Sequence, residues 1–384
     1  MYTQLKRIEY LDSVRGLAAM FVLLFHSVSF EWPKWAVTCI NLPLINIFFD
    51  GPAAVAMFFV LSGFVLSRPY LLPIKSDEKP RTIFLPTFYL RRLTRIWLPW
   101  FFAFCLCAVC ARYLVYEYNT IPAYHWLQRA REWQLPLTLK NVLHQIALSN
   151  LNDAGGPHLV SADWSLGVEL RASLLVPLFV LCARGWRVIS LLPIAILLFV
   201  LAPNGYYVSF VLGVALARVC DWSAPRVQLL PWPVQISIFA AGILMYESGH
   251  FATKLLHWSS GYEGTWWCVS SLGCTLLLLL CLSNPVLQKI LNHKILVFFG
   301  RISYSVYLLQ FIGIFCLQPL VVYALNCAGI TQTVILLPTI LGVNALFTIM
   351  IAAASYQIIE KPSIELGHKL TKIIQQRFLK FNAI

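Results

Sequence analysis

Asp12, Arg15 and His26 lie in one apolar run, LDSVRGLAAMFVLLFHS (11–27), whose other residues are mostly Leu, Phe, Val and Ala. At 100° per residue the three fall within about 60° of one another around a helix, so a single face carries them all. An ionisable group in hydrocarbon is costly unless it meets a partner or a watery cavity, and such residues mark functional sites by default. Arg15 and His26 are eleven positions apart, about 16.5 Å along the axis, so the two cannot touch. Asp12 and Arg15 are spaced for an i, i+3 ion pair near the membrane edge, with Arg15 snorkelling. His26 stands at the far end, and an imidazole that is neutral near pH 7 suits proton transfer. Glu169, in DWSLGVELRASLL (163–175), is a second charge within an apolar run. That run passes from the outer face inwards, which sets Glu169 a turn or two below the surface, at a level similar to that of His26. A carboxylate there would orient the imidazole or hold its cation. Its plainer reading is a pair with Arg171 or a helix cap.

The elements that must position these groups follow from composition. Of the 384 residues 59% are hydrophobic and 12% charged, about half the charged fraction of a soluble domain. The fold class expected is an all-α integral membrane protein. A span needs about 20 mostly apolar residues, and ten stretches qualify: 11–30, 47–67, 93–116, 164–182, 187–202, 204–220, 232–247, 265–283, 295–322 and 332–357. The fifth and sixth are short and separated only by Pro203, Asn204 and Gly205, a tight-turn signal. Ten spans put both termini on one side. With that side cytoplasmic, 21 of the 29 Lys and Arg residues lie inside and six outside, as the positive-inside rule requires. The net charge of +13 therefore needs no nucleic acid. The ionisable residues and the lack of a small-residue cleavage site mark the first run as a retained span, not a signal peptide. The eleven cysteines follow no metal-ligand spacing and sit mostly in apolar runs, so neither a metal nor a disulfide framework is expected. The chain reads as one transmembrane domain, 1–384, with an outer segment 117–163, a cytoplasmic tail 358–384 and no fused soluble domain. Within the outer segment, NVLHQIALSNL (141–151) has apolar residues at helical spacing, suited to an interfacial helix.

Six motifs, in order, resemble the acyltransferase-3 family of integral membrane acyltransferases, which modify glycans, lipids and antibiotics. They are YLDSVRGLAAMFVLLFHS (10–27), with the family's Arg, ten intervening residues and His; FFVLSGFVLS (58–67); FYLRRLTRIWLPW (88–100), with Arg-x-x-Arg at Arg92 and Arg95; WSLGVE (164–169); GRISYSVYLLQF (300–311); and EKP (360–362). The resemblance covers nearly the whole chain. It implies that His26 is the catalytic base, that acyl-CoA is the donor, and that Arg15, Arg92 and Arg95 are functional. The chain departs from the family pattern at AVAM (54–57), at Leu170, which replaces a second acid, and at Gln310, where a His often stands.

Together these readings give an expected mechanism for an acyltransferase of the cytoplasmic (inner) membrane. Acyl-CoA is an anionic co-substrate from the cytosol, with no permanently bound cofactor. Arg91, Arg92 and Arg95 would receive its phosphates at the inner end of the third span. The pantetheine arm would pass Arg15, and His26 would take the proton of an acceptor hydroxyl as that oxygen attacks the thioester. Asp12, Ser62, Tyr304 and Tyr307 are candidate supporting residues, the hydroxyls as oxyanion donors. The acceptor expected is a glycan or glycolipid reached from outside, touching His158 and Trp164, and the product an O-acetylated or otherwise short-chain acylated hydroxyl. The rival class is a secondary transporter using the ionisable stripe as a proton relay, although no paired halves with broken helices are visible.

Overall fold

The computed structural model describes residues 8–28, 33–71, 82–114, 133, 139–146, 159–185, 188–255 and 264–381. Among these, 89% are helical and none lies in a strand, as expected of a chain whose backbone polar groups must be satisfied within each segment in lipid. Each apolar stretch read from the sequence forms a helix: α1 (Glu9–Ser27), α2 (Gly51–Leu71), α3 (Leu85–Tyr113), α4 (Asp163–Gly185), α5 (Leu191–Leu201), α6 (Tyr206–Gln228), α7 (Trp232–Tyr246), then α8 (Ser248–Leu255), α9 (Thr265–Ser283), α10 (Lys294–Ile312), α11 (Gln318–Cys327), α12 (Thr333–Ser355) and α13 (Lys361–Phe381). Among the described residues, seven helices are long and apolar enough to cross a membrane: α2, α3, α4, α6, α9, α10 continued through α11, and α12 continued into α13. Both continuations pass through a π-helical turn, at Gly313–Leu317 and Tyr356–Glu360. Helices α5 and α7 are apolar but shorter.

The chain divides into two compact units. The first comprises residues 1–18, 50–85 and 171–301. Its centre is the crossing of α2 and α6, where a Cβ on Gly63 would stand 2.3 Å from the Phe210 carbonyl oxygen and one on Gly213 2.0 Å from that of Val60. Only glycine permits this approach, which accounts for the glycine of FFVLSGF. A buried hydrogen-bond set joins α6 to α9: the Trp267 indole donates to Ser209 Oγ at 2.9 Å, and Ser209 and Ser271 share a bond of 2.7 Å. The turn expected at 203–205 is present, with Gly205 at φ +81° and Asn204 Oδ1 accepting from the Tyr206 N–H. Basic side chains tie the opposite helix ends together. Arg184 Nε donates to the Tyr70 carbonyl, Arg218 Nε to that of Ala183 at 3.2 Å, and Arg68 pairs with Asp221 at 3.6 Å.

The second unit comprises residues 19–49, 86–170 and 302–384. Here the segment expected as a tail is a helix, α13, which packs on α3: Arg91 Nε donates to Thr371 Oγ1 at 3.2 Å. In the outer segment a helix covers Leu139–His144. The remainder of NVLHQIALSNL past residue 146, together with His158, lies outside the described residues.

Candidate active site

His26 occupies the last turn of α1, half-buried between Phe25 and Phe311, whose ring centroids lie 5.1 and 4.9 Å from its own. Its hydrogen-bond partner is Gln310 on α10, with 3.2 Å between His26 Nδ1 and Gln310 Oε1. Gln310 is 0% exposed, and its Nε2 donates to the Tyr307 carbonyl at 3.0 Å. The amide nitrogen is thereby committed and the amide oxygen must accept. The ring also bonds the Val22 carbonyl one turn back on α1, so His26 is held by α1 and α10 together.

Ser27, the next residue, anchors this end of α1. Its Oγ accepts from Asn344 Nδ2 at 2.6 Å and its carbonyl from Gln318 Nε2 at 3.0 Å. Gln318 sits at the exit of the first π turn, and such turns recur at functional sites.

Gln310 is the top rung of a stripe on α10. Tyr304, Tyr307 and Gln310 recur at i, i+3 and i+6, about 4.5 Å apart along the axis. The Tyr307 hydroxyl shares a 2.6 Å hydrogen bond with Ser165 Oγ on α4, and the Tyr304 hydroxyl donates to the Ile96 carbonyl on α3 at 2.8 Å. At that lower level Glu169 and Arg92 form an ion pair of 2.5 Å, and Tyr304 is within electrostatic reach of both. Next along α10, Ser305 donates to Glu360 Oε2 at 2.7 Å. Glu360, 1% exposed, is the acid of EKP, a partner that sequence reasoning did not assign although the motif had been singled out.

These contacts show where two of the expected site residues lie. Glu169 is not the hydrogen-bond partner of His26; it meets Arg92. Arg92, read as part of a phosphate-receiving mouth, is 7% exposed and paired inside. Arg91 is exposed and Arg95 half-buried, and His368 on α13 lies within electrostatic reach of both. His368, a residue the motif comparison did not supply, therefore lies beside the two arginines outside the buried pair. Trp164 is half-buried at the start of α4.

In the first unit Arg15 and Asp12 form the i, i+3 pair, 3.3 Å apart, and the Arg15 guanidinium also donates to the Gly300 carbonyl at 3.1 Å. Ser62 lies half-buried on α2 in the same unit.

The family profile described as "Acyltransferase domain", that of the acyltransferase-3 family, matches residues 8–355. No curated protein and no solved structure matches the chain.

Proposed function

Because the chain belongs to the acyltransferase-3 family and is a membrane acyltransferase, we propose that it moves an acetyl or other short acyl group from acyl-CoA to a hydroxyl of a glycan or glycolipid, with His26 as general base. The observation that supports the choice of base is the Gln310 hydrogen bond; in the proposed tautomer the hydrogen sits on Nδ1 facing Gln310 Oε1, and Nε2 is the proton acceptor.

In this reading the acceptor hydroxyl gives its proton to Nε2 as its oxygen attacks the thioester carbonyl. The tetrahedral intermediate collapses, the C–S bond breaks, and the CoA thiolate takes the proton back from the imidazolium. Gln310 Oε1, facing Nδ1–H, supports the cation in between. Arg91 and Arg95, with His368 beside them, are assigned to the CoA phosphates, where guanidinium geometry suits phosphate oxygens. Arg92 and Glu169 hold α3 to α4 below the reacting groups. Arg15 steadies α1 through Asp12 and the Gly300 carbonyl. His158 and Trp164 remain the proposed acceptor contacts, on the outer side of the cytoplasmic membrane. The secondary-transporter reading gains no support from the family assignment.

The test uses membranes carrying wild type or His26→Ala at matched expression, with labelled acetyl-CoA and then succinyl-CoA. Free CoA and label entering glycan or lipid are both followed. Removal of a general base lowers the rate by about 10²–10⁴-fold, and a loss of that size is expected. Equal transfer by the two proteins would remove His26 from the chemistry.

A further inference from the structure

Asp50 stands at the N-terminus of α2, in the first unit, and is 2% exposed. One carboxylate oxygen, Oδ1, caps the helix by accepting from the Ala53 N–H at 3.0 Å, the ordinary work of an Asp in that place. The other, Oδ2, is fully buried and has no hydrogen-bond partner among the described residues. A buried carboxylate oxygen left without a donor costs about 1–3 kcal/mol or more, so a native fold that keeps one is informative.

Asp50 lines a pocket together with Pro52, Tyr246, Trp266, Trp267 and Ser270, which leaves about 10 Å³ for the centre of a water-sized group. That is room for a single oxygen. The groups around the space want a donor. The Tyr246 hydroxyl gives its hydrogen to the Asp50 carbonyl at 3.5 Å and Ser270 Oγ gives its own to the Tyr246 carbonyl at 2.8 Å, so lone pairs remain. A hydroxyl donates to a carboxylate oxygen and accepts from a carboxylic acid, so one neutral hydroxyl meets the need of Asp50 Oδ2 in either form. Trp266 is half-buried and Trp267 buried, and tryptophan beside the space offers an apolar face to the carbon frame bearing that donor.

We propose that the unpartnered Asp50 Oδ2, the one-oxygen pocket and the adjoining tryptophans form a binding site for a hydroxyl group of a neutral pyranoside. The hydroxyl enters the pocket and donates to Asp50 Oδ2, while the ring lies against Trp266. The site is built within the first unit and does not depend on which residue is the base.

Saturation-transfer difference NMR on the full chain in nanodiscs tests this, with methyl β-glucopyranoside, methyl β-galactopyranoside and glucosamine as probes and no acyl donor present. Transfer to the ring protons of at least one methyl glycoside is expected. Asp50→Asn keeps the cap oxygen and the volume but turns the free acceptor into a donor, and it should weaken the apparent affinity at least tenfold. Trp266→Leu, at a partly exposed position, should do the same with the thermal transition preserved. The proposal is overturned if folded wild type transfers to neither glycoside, if both folded variants bind as wild type does, or if glucosamine alone binds.

Discussion

Two hydrogen bonds support the tautomer of His26 that the proposed mechanism uses. The Tyr307 carbonyl claims the Gln310 amide nitrogen, and the Gln310 oxygen then claims the hydrogen on His26 Nδ1. Gln310 is thus a positioning residue, and its loss has a signature distinct from loss of the donor site. In Gln310→Ala the imidazole can rotate and change tautomer, and a misplacement of about 1 Å costs on the order of 100-fold in rate. Steady-state kinetics should show kcat falling 10- to 100-fold with KM for acyl-CoA within twofold of wild type. A rise in KM with kcat unchanged would place Gln310 in donor binding instead. The opposite pattern is expected of Arg95→Ala, because phosphate contacts remote from the carbonyl act mainly on ground-state binding. There KM for acyl-CoA should rise at least tenfold, which initial rates across donor concentration would read directly.

At the scale of elements, α10 makes the site coherent, since Tyr304, Tyr307 and Gln310 lock it in turn to α3, to α4 and to the end of α1. The three-residue spacing is visible in GRISYSVYLLQF, and Gln310 stands out there as a departure from the family pattern. What the spacing could not give is register between helices. Counting turns from the start of α4 put Glu169 near the level of His26, whereas the actual pairing with Arg92 depends on how α3 and α4 slide past each other, a tertiary quantity that neither segment encodes alone. The helices themselves were legible because apolar length is a local property. The docking of α13 was not, since its contacts with α3 involve Thr371 and Arg91, residues 280 apart in sequence. The Arg92–Glu169 pair carries a prediction at this scale. Removing one member of a buried pair costs about 3–5 kcal/mol, whereas replacing both by apolar residues of like volume is often neutral. Glu169→Ala should lower the thermal transition sharply, and Arg92→Met with Glu169→Met should recover most of it. A double variant as unstable as the single would show that the pair does more than hold α3 to α4.

For the whole chain, topology rests on the short helix α5. It has 11 residues, about 16.5 Å at 1.5 Å per residue, half of a hydrocarbon core of about 30 Å. Within the first unit, Arg218 on α6 reaches the carbonyl of Ala183 near the end of α4, so the ends of α4 and α6 that carry these residues share a level. Tyr206, where α6 begins, lies 12 residues before Arg218, about 18 Å away along α6. The chain leaves α4 at one level and must start α6 some 18 Å from it, and α5 is the length that covers that return. Arg68, Arg184 and Arg218 cluster at the shared level with Asp221, and positive charge of this kind stays in the cytoplasm. The turn at Asn204–Gly205 is therefore expected to face outward, although α5 is too short to be recognised as a span by length. In a cysteine-free background, Asn204→Cys should react with an impermeant maleimide added to intact cells, and Arg226→Cys only after the cells are opened. Reaction of Asn204→Cys solely from the cytoplasm would make α5 a re-entrant loop, reduce the crossings by an odd number relative to ten, and move the C-terminus to the outer face.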